Sequence, residues 1–322
     1  MGMTTNRTTT KDGAPGRIRA AASALLLLAA WTAGDAGAQQ RFDEGRMAAP
    51  DGTVKITNPA GAVRVTGWSV DSVRVTGRLG EEVAEVEFTT DARATHVRVV
   101  PRDAWRDRPV GGTDLEVRVP RSSHVAVRTQ EGTIEIRRVS GAVDLESATG
   151  DLRIHDDPRF VYARSVGGDV EITGVSKVMR ASSVAGAVSV EHAAGYVELS
   201  TVSGPIRLSG RNLWEGRVQT VSGDIRFEGD FQEGGSFAFE SNSGRIELVL
   251  SPHIRADFDV TAYAGRVETE LAGATVSGRD GTGRPGTATG DPEHERVFSL
   301  NGGGARLSVR TFKGSIRIAT RP

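Results

Sequence analysis

The sequence contains no cysteine. That excludes disulfides, thiolate metal ligands, a cysteine nucleophile and a lipidated N-terminal cysteine. Aromatic residues are only 5% of the 322 positions, too few for a surface that binds nucleic acid by base stacking. Neither sign of charge is in excess: 40 basic against 41 acidic residues give a net charge of −1. There is therefore no basic stripe of the kind a nucleic-acid binder carries, and no nucleic-acid partner is expected. Long apolar runs are missing too. The longest, residues 20–33, falls short of the roughly twenty residues that span a bilayer. Glycine, by contrast, is abundant at 40 of 322 residues, against a usual share of about 7%, and it lacks the every-third spacing of collagen.

The N-terminus reads as a secretory signal. Lys11, Arg17 and Arg19 precede the apolar run, and Ala36-Gly37-Ala38 has the small-x-small form of a cleavage site. Cleavage is expected between Ala38 and Gln39, leaving no transmembrane span, with the product secreted to the periplasm or the cell surface. The remaining chain divides into a polar lead (39–51), an N-terminal β-strand region (52–123), regular repeats (124–271), a flexible Gly/Thr/Pro-rich insertion (272–295) and a closing coil (296–322).

One phrase recurs: TVSGPIRL at 201–208 and TVSGDIRF at 220–227, each two alternating runs about a Ser-Gly turn. The turn glycines are Gly132, Gly150, Gly168, Gly186, Gly204, Gly223, Gly244 and Gly265, spaced 18, 18, 18, 18, 19, 21 and 21 residues apart, and Gly314 resumes the phase. Positions seven and five before each glycine, and two and four after it, are mostly apolar, as in Val143, Leu145, Leu152 and Ile154 around Gly150. Period-2 alternation in short β-branched runs indicates strands, and a fixed spacing near twenty residues indicates a repeat array. Residues 52–68 carry the phrase in looser form. Further strands are expected at 73–75, 83–88, 97–99 and 115–119, with a charged loop at 101–112 and a longer connection at 211–216.

About four core side chains per unit, worth roughly 1.5–3 kcal/mol each, cannot offset the ordering of a whole unit at roughly 1–2 kcal/mol per residue. Units must therefore stack. The expected fold is all-β: a single-stranded parallel β-solenoid, or β-helix, of about 18–21 residues per coil, with the turn glycine at a corner that needs positive φ or close backbone approach. Three residues before the glycine stands a hydroxyl column: Thr129, Ser147, Ser165, Ser183, Thr201, Thr220, Ser241 and Thr311, with Ala262 the exception. By parity it points inward, where hydroxyls can satisfy turn backbone groups.

Candidate chemistry is sparse. The outward row of the second strand, Glu135, Arg153, Glu171, Ser189, Arg207, Arg226, Glu247 and Glu268, offers a binding face. Stacking makes its members cross-strand neighbours, with Arg207/Arg226 and Glu247/Glu268 as like-charge pairs. Asp144, Glu146, Asp151, Asp169 and Glu171 could be paired carboxylates for glycoside chemistry, but they follow the repeat without a local break, so no catalytic residues are expected. Asp151, Asp169 and Asp224 follow turn glycines without the calcium-array spacing, and the six histidines form no ligand set. No cofactor is expected. Trp68, Trp105 and Trp214 are aromatic outliers suited to packing at corners or coil ends.

The T-x-S-G-x-I phrase, NPAGAVRVTGW at 58–68 and NGGGARLSVRTFKGSIRI at 301–318 resemble the bacterial putative-adhesin β-strand-repeat family, a domain of unknown function. The resemblance implies a secreted or surface-exposed β-solenoid with an adhesin-like role and brings no catalytic residues. The expected function is non-enzymatic binding or scaffolding at the cell envelope, with an envelope protein or a surface glycan as partner. The alternatives are an envelope-stress or signalling accessory with a protein partner, and a carbohydrate-active enzyme on a β-helix.

Overall fold

A computed structural model describes residues 41–102, 112–279, 285–286 and 294–321. The signal-like segment, Trp105, most of the 101–112 stretch and half of the 272–295 stretch lie outside the described residues. Those described are all-β, with no helix among them.

The repeat phase becomes two parallel ladders. Strands before the turn glycine pair in register at Val125, Val143, Val161, Met179, Val197, Gly216 and Phe237. Strands after it pair at Ile134, Leu152, Val170, Val188, Ile206, Ile225 and Ile246. The inward members of both ladders join one apolar core. Gly216, the odd glycine in the first ladder, leaves room for Phe237: a Cβ there would meet Phe237 Cε1 at 2.4 Å. Phe227, Phe231, Phe237 and Phe239 pack with ring centroids 4.5–6.2 Å apart, so the longer units enclose larger side chains. Residues 211–216 are not a separate connection. They bulge within one continuous strand, Ile206–Thr220.

The expectation of a wholly parallel array is corrected at both ends, where the sheet is mixed. Arg41–Met47, in the polar lead, is a strand paired antiparallel to Ser72–Arg78, which pairs antiparallel to Asp114–Pro120. Val83–Thr90 pairs antiparallel to Ala94–Pro101. At the other end Glu295–Leu300 runs antiparallel to Ala256–Ala262 and to Val276–Arg279, so the margins of the expected flexible insertion contribute strands.

The closing coil is also relocated. It holds the phase of the repeat but does not lie outermost. Ala305–Thr311 pairs on one side with Ile225–Ser241 and on the other with Ala256–Ala262. Ile316–Thr320 lies between Ile246–Leu250 and Val267–Glu270. The N-terminal end repeats the device: Thr53–Ala60 sits between Ala94–Pro101 and His124–Glu131, and Val63–Trp68 between Asp114–Pro120 and Ile134–Arg137. Thr53–Trp68 and Ala305–Thr320 are thus each held inside the stack, and an intervening excursion covers each.

Candidate binding surface

The inward side of the corner is structural. Ser165 Oγ accepts from Gly168 N at 2.9 Å and donates to Gly150 O at 3.1 Å. Ser183 repeats this with Gly186 N at 3.0 Å and Gly168 O at 2.9 Å. Thr201, Ser241 and Thr311 do the same, and Ser147 and Thr220 accept from their own turn glycines. The column is buried, and Ser165, Ser183, Thr201, Ser241 and Thr311 hold one corner to the next. The turn glycines are required by close approach: a Cβ on Gly204 would lie 1.9 Å from Gly186 O.

The aspartates after the glycines also serve the backbone. Asp151 accepts from Asp169 N at 3.1 Å, Asp169 from Ala187 N at 2.7 Å and Asp224 from Arg245 N at 2.8 Å. Each carboxylate ties one unit to the next. No group of histidine and carboxylate side chains fit for a metal occurs among the described residues. Of the other candidate carboxylates, Glu146 pairs with Arg128 at 2.9 Å and Glu171 with Arg153 at 3.2 Å.

The second-strand row is brought together as a ladder, with two members that sequence order hides. Arg64 stands beside Glu135, and Arg317 stands between Glu247 and Glu268. The expected Glu247/Glu268 like-charge contact is therefore wrong, because the C-terminal coil inserts between the two. Arg317 meets Glu247 at 3.2 Å and Glu270 at 2.8 Å. Its guanidinium is held above its ordinary value, first by the Glu270 hydrogen bond and then by the surrounding carboxylates. Arg226 pairs with Glu247, Arg153 with Glu171 and Asp151, and Glu135 with Arg64, Arg137 and His155. Arg207 stands between Ser189 and Arg226. Most of the charge in this row is neutralised within it.

The opposite face, formed by the strands before the glycine, has different chemistry. An open groove of about 850 Å³ runs beside the corner, lined by residues from Arg164 through Ser182, Ser200 and Gln219 to Tyr263 and Arg310. Its outer wall is formed by side chains two residues before the glycines, exposed and apolar at Val184, Val202, Val221, Phe312 and Tyr263 and interrupted by Asn242. The Tyr263 and Phe312 rings lie 6.1 Å apart. A second depression of about 290 Å³ shares Arg164, Ser182 and Ser200 with the groove and continues it toward Tyr162 and Asp144.

An aromatic cluster flanks this depression, with members from the units of Gly168, Gly204 and Gly223. Arg180 lies 5.6 Å from the Tyr162 ring and 5.5 Å from the Tyr196 ring, and donates to Glu198 at 2.9 Å. Hydrogen bonds to Glu198 and then Tyr196 raise its pKa. Tyr196 O–H also donates to Glu198, at 3.2 Å, and its ring is tilted 6.3 Å from Trp214. Trp214 remains 45% exposed. Trp68 instead packs at a corner, donating Nε1–H to Ser72 O at 2.8 Å. Sequence reasoning isolated Trp214 but missed Tyr162 and Tyr196. Both sit at outward positions, eight or six residues before a turn glycine, and that parity was the available signal.

No protein-family model and no curated protein matches the chain. Three solved bacterial structures are similar to it at a distance. A putative adhesin from Bacteroides fragilis is 13% identical, with a TM-score of 0.44, over 87% of this chain and 97% of that one. A putative adhesin from Parabacteroides distasonis is 11% identical, with a TM-score of 0.40, over 88% and 98%. A putative cell adhesion protein from Clostridium sporogenes is 10% identical, with a TM-score of 0.30, over 88% and 100%.

Proposed function

We propose that the parallel stack is a β-solenoid exported to the bacterial cell envelope or surface, where it acts without catalysis as an adhesin-like binding or scaffolding protein. The observation that carries this reading is the division of labour between the two faces. Carboxylates that could do chemistry are largely tied up in ion pairs and backbone contacts. The face before the glycines instead offers a long groove walled by exposed apolar and aromatic side chains. Exposed apolar surface with a polar rim marks interaction sites. The signal-like N-terminus supports export, and among the described residues no helix is long and apolar enough to cross a membrane. The partner is an envelope protein or a surface glycan.

The test expresses the full chain with a photo-crosslinking residue at Val202, in the groove wall, and another at Arg207, on the opposite face. The reading expects a product lacking residues 1–38 in the envelope or medium, with adducts from Val202 well above those from Arg207. A protein retained in the cytoplasm with its N-terminus intact would overturn export. Equal or absent adducts from the two positions would overturn the assignment of the binding face.

A further inference from the structure

We propose that the Arg41–Met47 strand is a self-association edge, on which a second copy of this chain pairs antiparallel about a two-fold axis at Gly45. The surface is separate from the groove, and each stands or falls without the other.

The first argument is the backbone. Among the described residues Arg41–Met47 pairs with Ser72–Arg78 and with no other strand, so it ends its ladder. Ala48 N–H donates to Asp71 O at 3.1 Å. In the antiparallel register, Phe42, Glu44 and Arg46 share that phase and turn their N–H and C=O groups toward Ser72–Arg78. Leu115 N–H, donating to Ala62 O at 2.8 Å, fixes the same phase from the far side of Ser72–Arg78. The N–H and C=O groups of Arg41, Asp43, Gly45 and Met47 therefore face away, toward no described strand. A row of this kind is a template for another chain.

The second argument is access. From Ile134–Arg137 the ladder continues through Val63–Trp68, Asp114–Pro120 and Ser72–Arg78 to Arg41–Met47. The other ladder stops one strand sooner. It runs from His124–Glu131 through Thr53–Ala60 and Ala94–Pro101 to Val83–Thr90. Arg41–Met47 thus stands about 4.8 Å beyond the last strand of the opposite ladder, and an approaching copy meets it first.

The third argument is charge, and it selects the second copy as the occupant. Charged side chains on an edge ordinarily repel an incoming strand. Here they complement themselves in one register. A two-fold axis normal to the sheet sets one residue opposite itself. At Asp43, Glu44 or Arg46 that residue would face its own charge. At Gly45 it does not, and Glu44 then lies opposite Arg46 of the second copy, and Arg46 opposite its Glu44. These are non-hydrogen-bonded pairs, whose Cα atoms approach to about 4.5 Å, so the side chains meet. Within each chain Glu44 and Arg46 touch at 3.5 Å with about half of each side chain exposed. A pair that exposed contributes little by itself, so little is lost when both turn to the second copy. Gly45 opposite Gly45, with Asp43 and Met47 opposite one another, completes about six main-chain hydrogen bonds. Phe42 comes opposite Ala48, and both already lie partly against the core. Met47 is 75% exposed, the most of any large apolar side chain among the described residues, and it flanks the bare glycine pair. An edge of seven residues makes a small contact, of the weak and reversible class.

Residues 39–322 form one compact unit. They are purified and followed by sedimentation velocity across a concentration series, with far-UV circular dichroism and thermal unfolding as folding checks. The wild-type chain should dimerise reversibly. Gly45→Pro removes an outward N–H and leaves the inner ladder intact, and a side chain has room there, since a Cβ meets nothing closer than Val73 O at 3.8 Å. It should give a folded monomer. Glu44→Arg and Arg46→Glu each set like charges opposite one another and should weaken association by on the order of tenfold. Mixed, the two variants should form a heterodimer, because each supplies the charge the other lacks. The chain has no cysteine, so Gly45→Cys reports the register. Its Cα atoms would lie about 5.5 Å apart, within disulfide reach, and mild oxidation should link two copies. Met47→Cys, opposite Asp43 rather than itself, should link far more slowly. A wild-type chain that stays monomeric at every concentration overturns the proposal. So does a dimer indifferent to Gly45→Pro, a mixture of charge variants that associates no better than either alone, or faster linkage at Met47→Cys than at Gly45→Cys. None of these results touches the groove, which lies on the other ladder and is read by the Val202 crosslinker.

Discussion

The middle of the stack and its two ends are built by different rules. From Ala142 to Thr220 each unit pairs with the unit before and after it in sequence, at near-constant offset. At the ends, sequence neighbours are separated in space. The Ala256–Ala262 strand follows Ile246–Leu250 in the chain, yet the C-terminal coil lies between their units. The middle needs only a repeated local instruction: a strand, a hydroxyl, a glycine and a strand. The ends need a partner from far along the chain. A repeat stack left open would offer unpaired edges to other molecules. Antiparallel strands and the inserted segments Thr53–Trp68 and Ala305–Thr320 close much of that liability.

The sharpest way to break the comparison is to remove an inserted coil. A chain ending at Asn301 loses Leu307, Val309, Ile316 and Ile318, all buried at 2% exposure or less. At roughly 1.5–3 kcal/mol per side chain, about 6–12 kcal/mol of burial is lost, comparable with the net stability of a domain. Coupling between stacked units is largely nearest-neighbour, so the loss stays local. Hydrogen exchange should show residues 256–270 unprotected while residues 143–190 keep their protection. Uniform loss across the chain would show that the middle depends on the ends.

A corner substitution attacks the middle instead. In Gly204→Ala the new Cβ would lie 1.9 Å from Gly186 O and 2.5 Å from its carbonyl carbon. Both are backbone atoms that cannot swing away, so the cost should exceed about 3 kcal/mol. Gly234→Ala is the control: nothing lies within 4 Å of its Cβ, and only its φ of +78° resists, for about 1–2 kcal/mol. Chemical denaturation of the two variants checks the order. Equal effects would mean that close approach at the corners is not what selects glycine.

These cases mark what was legible from sequence. Period-two alternation and the glycine phase gave the strands, the core positions and the inward hydroxyls, because each depends only on residues within one unit. Arg41–Met47 was read as a polar lead because it has no buried face to produce alternation; only Phe42 is partly covered. Arg317 was invisible as a neighbour of Glu247 because 70 residues separate them. The aromatic cluster escaped for a related reason: Tyr162, Tyr196 and Trp214 come from different units and different positions within them. Of the two reasons open for the turn glycine, positive φ or close approach, the second is general. Positive φ holds at Gly132 (+124°) but at none of the turn glycines from Gly150 to Gly244, where close approach alone decides.

A smaller effect is expected from Ser183→Ala. It leaves Gly186 N and Gly168 O unpartnered in a buried corner, at about 1–3 kcal/mol for each unsatisfied group. Ser140→Ala removes one exposed bond to Arg121 O and should change stability by less than about 0.5 kcal/mol. Thermal unfolding of the pair tests whether the column is structural. If the two substitutions cost the same, the hydroxyls are not what joins the corners.

The smallest effect separates the N-terminal edge from the middle by pH. Asp43 on the Arg41–Met47 strand receives two 2.9 Å hydrogen bonds from Arg74, which lower its pKa below the ordinary value of 3.8. A carboxyl depressed in the folded state binds its proton more weakly there than in the unfolded chain. Its contribution is therefore complete above about pH 4 and is lost as pH falls through the lower folded value. Asp91, in the turn between Val83–Thr90 and Ala94–Pro101, is lowered by backbone N–H groups of Arg93 and Ala94 and titrates in the same sense. Carboxylates such as Asp151 and Asp169 also join units in the middle, but strands there are paired on both sides and enclose apolar side chains and hydroxyls, which do not titrate in this range. Acidification should therefore reduce amide protection in Arg41–Met47 before it touches Val170–Thr173, after correction for intrinsic exchange rates. Asp43→Asn should show the reduced protection already at neutral pH and lose most of the acid dependence. If protection in the wild-type strand stays constant below pH 3, the Asp43–Arg74 pair does not anchor this edge, and the strand is held by its backbone ladder to Ser72–Arg78 alone.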